Sequence, residues 1–185
     1  MKQKNAGFTL IELLVVLFIT TMISGIAVAN YRAAEKQKRA VIASDTVINA
    51  LRNAQNFTLT GKSTNNSDPT CRVPLYYQVV FTYSGSINLY GHNVKCNNDD
   101  LIESYTLPVN TRIKAGSMIL TPLLAGITAA TNLTFRFTPP FASITAATDN
   151  GTPAIFTTST ITVETTDGQA SKTITVDGVA GRIGQ

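Results

Sequence analysis

The sequence predicts an α+β fold: one long N-terminal helix, half suited to a membrane and half amphipathic, packed on an all-antiparallel β head. Three observations carry this prediction. Residues 8–31 are apolar with a single charge, Glu12. Residues 33–60 keep apolar side chains at three- and four-residue steps, and no proline interrupts residues 8–60. Beyond residue 61 threonine supplies 21 of 124 residues, and short β-type runs alternate with Gly, Pro, Asn and Asp.

Charged residues are only 14% of the chain and mean hydropathy is +0.11, whereas soluble domains carry roughly 25% charge. The apolar excess sits in residues 8–31. As a helix this stretch is about 36 Å long, enough for the ~30 Å hydrocarbon core of a bilayer. A helix that is apolar on every face over that length is expected to be a membrane span. Lys2 and Lys4 precede it, and Arg32, Lys36, Lys38 and Arg39 follow it, so charge alone leaves its orientation open. A secretory signal peptide is the competing reading. Against it, the run is too long and no clean cleavage site follows it, Ala27-Val28-Ala29 near its end coming nearest. The small pair Ala6-Gly7 lies before the run, where a cut would leave the apolar segment on the mature chain.

Gly7-Phe8-Thr9-Leu10-Ile11-Glu12-Leu13-Leu14-Val15-Val16 closely resembles the processing motif of type IV pilins and type II secretion pseudopilins. The resemblance covers about thirty residues. It implies a leader of residues 1–7, removed on the cytoplasmic side between Gly7 and Phe8 by a prepilin peptidase that also N-methylates Phe8. It further implies a single-pass protein of the cytoplasmic (inner) membrane, its head outside the cytoplasm, that joins a periplasmic or surface filament.

A carboxylate within a bilayer costs about 2.5–3.5 kcal/mol even on lenient scales, so Glu12 calls for an explanation. In an isolated subunit it can reach the nearby headgroups. In a filament core it needs a positive partner, and the resemblance supplies one: the α-amino group of Phe8 on a neighbouring subunit.

The second half of the helix is read from Ala40, Ala43, Val47, Ala50, Leu51, Ala54 and Phe57, which form one stripe, with Arg39, Thr46, Asn49, Asn53 and Asn56 opposite. Gly61 is the expected C-cap, and Ser24-Gly25 the expected place for a bend. Many major pilins carry a proline in the outer part of this segment; its lack here favours a minor pilin or pseudopilin. The organisation is therefore leader 1–7, membrane and assembly helix 8–31, amphipathic helix 32–61 and β head 62–185.

Expected strands in the head are Leu75–Tyr83, Ile87–Tyr90, Ser104–Pro108, Ser117–Thr121, Leu133–Thr138, Thr160–Thr165 and Lys172–Val176. Ser84-Gly85-Ser86 is expected to close a hairpin centred on Gly85. Asp167-Gly168 is expected to close another, in a register that sets Ile161 opposite Ile174. Thr64–Asp68 and Ala142–Pro153 read as surface loops. The first hairpin places Cys71 and Cys96 on opposite strands near its open end. A disulfide there would stabilise by about 2–4 kcal/mol in an extracytoplasmic setting; the alternative is two free thiols.

Little in the chain suggests catalysis. With one histidine and two cysteines, a Cys/His zinc site within the chain is excluded, and any triad would depend on His92, which has no Cys, Asp or Glu at metal-motif spacing. Asp99, Asp100 and Glu103 lack the ligand pattern of a calcium loop and read as a solvated loop. No enzyme activity, metal or cofactor is expected. The C-terminal Thr173–Asp177 followed by Gly181-Arg182-Ile183 resembles the ending of H-type minor pseudopilins and FimT-like minor pilins, as does the helix stretch Ala50–Gln55 running to Gly61. Some FimT-like pilins bind DNA through a basic C-terminus. Here only Arg182 is present, and one cation neutralises about one phosphate; a net charge of +4 with no run of like charges beyond Lys36, Lys38 and Arg39 also argues against a dedicated nucleic-acid binder.

The expected function is thus a structural subunit, a minor pilin or pseudopilin of a type IV pilus or type II secretion pseudopilus. Its partners would be other pilin or pseudopilin subunits, the prepilin peptidase/N-methyltransferase, a membrane assembly platform and membrane lipid. A DNA-binding minor pilin of a natural-transformation pilus is the alternative.

Overall fold

The computed structural model describes residues 9–64, 66–93, 95–122, 128–140, 142–149 and 151–184. One helix, α1 (Leu10–Thr60), runs unbroken for 51 residues, passing through Ser24-Gly25 without interruption. Its first half is exposed and apolar throughout, and its most hydrophobic 18-residue window has mean hydropathy 2.4 with nothing buried against the head. Three hydroxyls there are satisfied by the helix's own carbonyls. Thr20 Oγ1 donates to Val16 O at 2.9 Å, Thr21 to Phe18 O at 2.8 Å and Ser24 to Thr20 O at 2.7 Å. A span through hydrocarbon requires this.

The helix ends at Gly61, whose φ of 66° is the left-handed conformation that glycine adopts without a Cβ clash; its N–H bonds Phe57 O at 2.9 Å. A short 3-10 turn (Pro69–Cys71) follows, then eleven strands: β1 (Tyr76–Thr82), β2 (Ser86–Asn93), β3 (Asn98–Thr106), β4 (Thr111–Ile113), β5 (Met118–Pro122), β6 (Thr128–Ala130), β7 (Asn132–Thr138), β8 (Ser143–Thr148), β9 (Phe156–Thr165), β10 (Ser171–Asp177) and β11 (Arg182–Gly184). They form two sheets, ordered β3-β2-β1-β7-β8 and β11-β10-β9-β5-β6, with β4 also pairing β9. Every pairing is antiparallel.

The two sheets and the helix share one core. Strict alternation in β1, β2 and β7 sends Tyr77, Val79, Phe81, Ile87, Leu89, Phe135 and Phe137 inward. The second sheet contributes Ile161, Val163, Ile174 and Val176. Phe135 joins the layers: it lies edge-on to Phe81 of its own sheet, centroids 6.0 Å apart, and to Phe156 of the other at 5.8 Å. From α1 come Ala43, Val47, Ala50, Leu51 and Ala54, all without exposed surface. The alanines let the sheets approach the helix backbone closely, which explains why the buried stripe is made of small residues.

Ile161 does lie opposite Ile174 across the Asp167-Gly168 turn. The β1–β2 register is centred on Ser84 and not on Gly85. Two readings need correction. Ala142–Pro153 is not a loop throughout, because β8 occupies Ser143–Thr148 and pairs β7, with Ile144 and Ala146 turned inward. Its alanines and threonines give weak hydrophobic contrast. Nor do Asp99, Asp100 and Glu103 lie in a loop: they belong to β3, an edge strand whose outward side can carry charge.

Because Leu51 is wholly enclosed between helix and sheets, Leu51→Ala should destabilise the head by about 2–5 kcal/mol. Urea unfolding of the full chain in detergent, followed by tyrosine near-ultraviolet circular dichroism, should show the lower midpoint, and exposed Arg52→Ala should leave it unchanged.

Candidate functional site

The N-terminal segment concentrates the functional expectations. Gly7 and Phe8 lie outside the described residues. Thr9 is the N-cap of α1, with extended backbone (φ −81°, ψ 152°). Glu12, three residues on, folds back on it. The Glu12 Oε2 accepts from the Thr9 N–H at 3.0 Å and from the Thr9 hydroxyl at 2.9 Å, while Thr9 Oγ1 accepts from the Glu12 N–H at 3.3 Å. This is a reciprocal capping box. Its signature, Thr9-x-x-Glu12, is local in the sequence. Among the described residues Glu12 has no cationic partner.

The head's cysteines form a disulfide. Cys71 and Cys96 have Cα atoms 5.9 Å apart, and a hairpin centred on Ser84 makes them nearly equidistant from the turn. Close packing supports this end of the sheet. A Cβ added at Gly91 would stand 2.7 Å from Pro74 Cγ and 2.8 Å from Thr64 Cγ2, so glycine is required where the chain leaving the helix crosses β2.

The acidic residues of β3 do not converge on a cation position, because each faces a different partner. Asp99 Oδ1 lies 2.6 Å from His92 Nδ1. Asp100 accepts from Thr64, Asn66 and Asn98. Glu103 accepts from the Tyr105 hydroxyl, and that contact together with burial pushes Tyr105 up to about 12, burial being the larger cause. His92 also stacks on Tyr76, centroids 4.5 Å apart, and the Arg136 guanidinium covers the Tyr76 ring at 3.8 Å. Hairpin pairing, not sequence spacing, brought the carboxylate to His92. Among the described residues the one grouping of three metal-type donors is Asp68 with Cys71 and Cys96, whose sulfurs are bonded to each other. Arg182 is exposed on β11, directly opposite Asp177 of β10.

At the base of the head, one ion pair holds the β9–β10 turn and one hydrogen bond holds the β3–β4 loop to the helix. Lys36 Nζ lies 2.6 Å from Asp167 Oδ2. Arg39 pairs Glu35 at 2.6 Å and donates to Val109 O at 3.3 Å. The hydrogen bond from Lys36, followed by those from the Thr165 hydroxyl and Gln169 N–H, holds the Asp167 carboxyl well below the usual carboxylate range.

Residues 2–28 match the family model described as the prokaryotic N-terminal methylation motif. No curated protein and no solved structure matches the chain. The motif implies a type IV pilin-like or pseudopilin-like subunit, processed at its N-terminus, with the apolar helix as its membrane anchor. Assembly with other such subunits and encounter with a prepilin peptidase follow from it, and the role it implies is structural and not enzymatic.

Because Asp167 titrates lower folded than unfolded, its contribution is complete above the unfolded carboxylate value of about 3.9 and lost as pH falls below it. Acid titration of the head's circular dichroism should show Asp167→Asn less stable than wild type at neutral pH, with the difference narrowing below about pH 4. Reduction of Cys71–Cys96 should lower stability by about 2–4 kcal/mol, read as an earlier urea midpoint in dithiothreitol.

Proposed function

We propose that this protein is a prepilin, cut between Gly7 and Phe8 and N-methylated on Phe8, that assembles through residues 8–31 as a minor pilin or pseudopilin. The observation that carries the proposal is continuity: the methylation motif at residues 2–28 runs into the same unbroken helix, Leu10–Thr60, whose far half contributes to the head's core. A filament built on that helix would display the head without a hinge between them. The proline-free membrane segment and the Gly181-Arg182 ending favour the minor pilin or H-type pseudopilin reading. The DNA-binding alternative draws little support from Arg182, since a single exposed cation neutralises about one phosphate.

Assembly would use Glu12 in a way that its capping role constrains. Cleavage would place a new α-amino charge on Phe8, beside the box and at the positive end of the helix dipole, where a cation is disfavoured. Glu12 of an adjacent subunit would relieve it. Glu12→Ala removes both the box and the charge, whereas Thr9→Val removes the hydroxyl and keeps the carboxylate.

Intact-mass measurement with and without the peptidase should show loss of residues 1–7 and gain of one methyl group, and a mature chain that still begins at Met1 would sink the proposal. In sheared filaments, Glu12→Ala should be strongly depleted, with the subunit processed and retained in the membrane. Thr9→Val should enter nearly normally, having lost only about 1 kcal/mol of helix capping. Equal depletion of both variants would assign the defect to helix initiation and not to charge pairing.

A further inference from the structure

A cleft of about 430 Å³ opens at the base of the head, lined by Arg32, Glu35, Lys36 and Arg39 of α1 and by Asn110 and Asp167. Two ion pairs, Glu35–Arg39 and Lys36–Asp167, use four of these charges. Arg32 is exposed and has no ion-pair partner among the described residues. Depth along the helix gives this a meaning. A hydrocarbon core of ~30 Å takes about 20 residues, so a helix entering near Leu10 leaves it near residue 30, and Arg32 stands among the headgroups. Beside the cleft, Val109 projects from the β3–β4 loop, 79% exposed, while its carbonyl is held by Arg39. A free guanidinium and a protruding apolar side chain therefore occupy the same end of the head, the end that faces the membrane.

We propose that this cleft receives the phosphate of an anionic phospholipid, bound by Arg32, with Val109 dipping into the interface beside it and seating the head on the lipid surface. The proposal rests on the membrane reading of α1. Charge selects the lipid class. The cleft is lined by Arg32, Lys36 and Arg39 against Glu35 and Asp167, so the ammonium of a zwitterionic headgroup would meet surplus positive charge, whereas an anionic headgroup brings none. Val109 argues for lipid over free phosphate, since an apolar tip gains nothing from a soluble anion.

The disulfide leaves no free cysteine, so Val109→Cys offers a single labelling site on the full chain. The labelled protein is reconstituted in vesicles containing about 30 mol% phosphatidylglycerol. Quenching of the fluorophore by headgroup-spin-labelled phosphatidylglycerol is compared with quenching by spin-labelled phosphatidylcholine. Lys2 and Lys4 do not confuse the readout, because the probe reports only lipid at the base of the head. The phosphatidylglycerol label should be favoured about five-fold, and Arg32→Gln should bring the two near parity. A label at Leu75→Cys, beyond the far end of the helix, should not be quenched. At constant ionic strength, about 10 mM inorganic phosphate should leave the preference intact; its abolition would indicate a soluble-anion site and overturn the proposal. Equal quenching by both lipids would overturn it too. Absence of quenching in protein that co-floats with vesicles would remove the seated head while sparing the membrane anchor. Protein that fails to float would remove the anchor and the proposal together.

Discussion

The structure depends on one uninterrupted ladder of backbone hydrogen bonds, that of α1. In hydrocarbon no water satisfies an exposed N–H or C=O, so a spanning segment must close every bond internally. Leu10 to Tyr31 does so, and Thr20, Thr21 and Ser24 turn their hydroxyls onto carbonyls of the preceding turn. The same ladder continues into water at Arg32 and into a protein core at Ala40. One element thus meets three environments in succession, and its side chains change accordingly: branched aliphatics on all faces, then charges, then an alanine stripe on one face. A proline anywhere along it would remove a bond and free a carbonyl.

The head is fastened to that helix at both ends. At the base Lys36 and Arg39 grip the β9–β10 turn and the β3–β4 loop. At the top, the Tyr77 hydroxyl donates to the Lys62 carbonyl just past the C-cap, and the Lys62 ammonium sits 3.8 Å over the Phe57 ring. Between them the core of both sheets closes on Val47, Leu51 and Ala54. The disulfide secures the excursion from Gly61 to the start of β1, whose described residues include one short 3-10 turn. A force on the head is carried to the membrane helix without a flexible joint, which suits a subunit whose two halves must move as one body.

What the sequence disclosed, and what it withheld, follows from how local each signal is. The helix was legible from end to end because its period, its lack of proline and Gly61 are all local. The β9–β10 hairpin was legible to the register, since Asp167-Gly168 fixes the turn and Ile161 and Ile174 both prefer the core. β8 was not, because Ala146 and Ala147 carry almost no strand preference and only pairing with β7 makes them one. β4, β6 and β11 are three-residue strands that exist only because a neighbour offers an edge. His92 and Asp99 illustrate the same limit at side-chain scale: seven residues apart in sequence, they become partners through the β2–β3 pairing. The capping box at Thr9, by contrast, is spelled by four consecutive residues.

That box sharpens the question of what Glu12 does, and magnitudes decide it. As the third residue of an exposed helix start, Glu12 supports capping worth about 0.5–2 kcal/mol. A buried charge left without its partner costs about 3–5 kcal/mol. In the free subunit only the first term operates, and the carboxylate rests on Thr9. In the proposed filament the α-amino group of a neighbouring Phe8 introduces the second term, which is larger, so the carboxylate would turn outward and leave Thr9 to water or to its own backbone. The capping box would then act as a holding position, keeping the carboxylate at the mouth of the helix until a neighbouring subunit offers a cation. Glutamate suits both roles better than aspartate, because its extra methylene spans the three residues back to Thr9 and gives the reach to leave it.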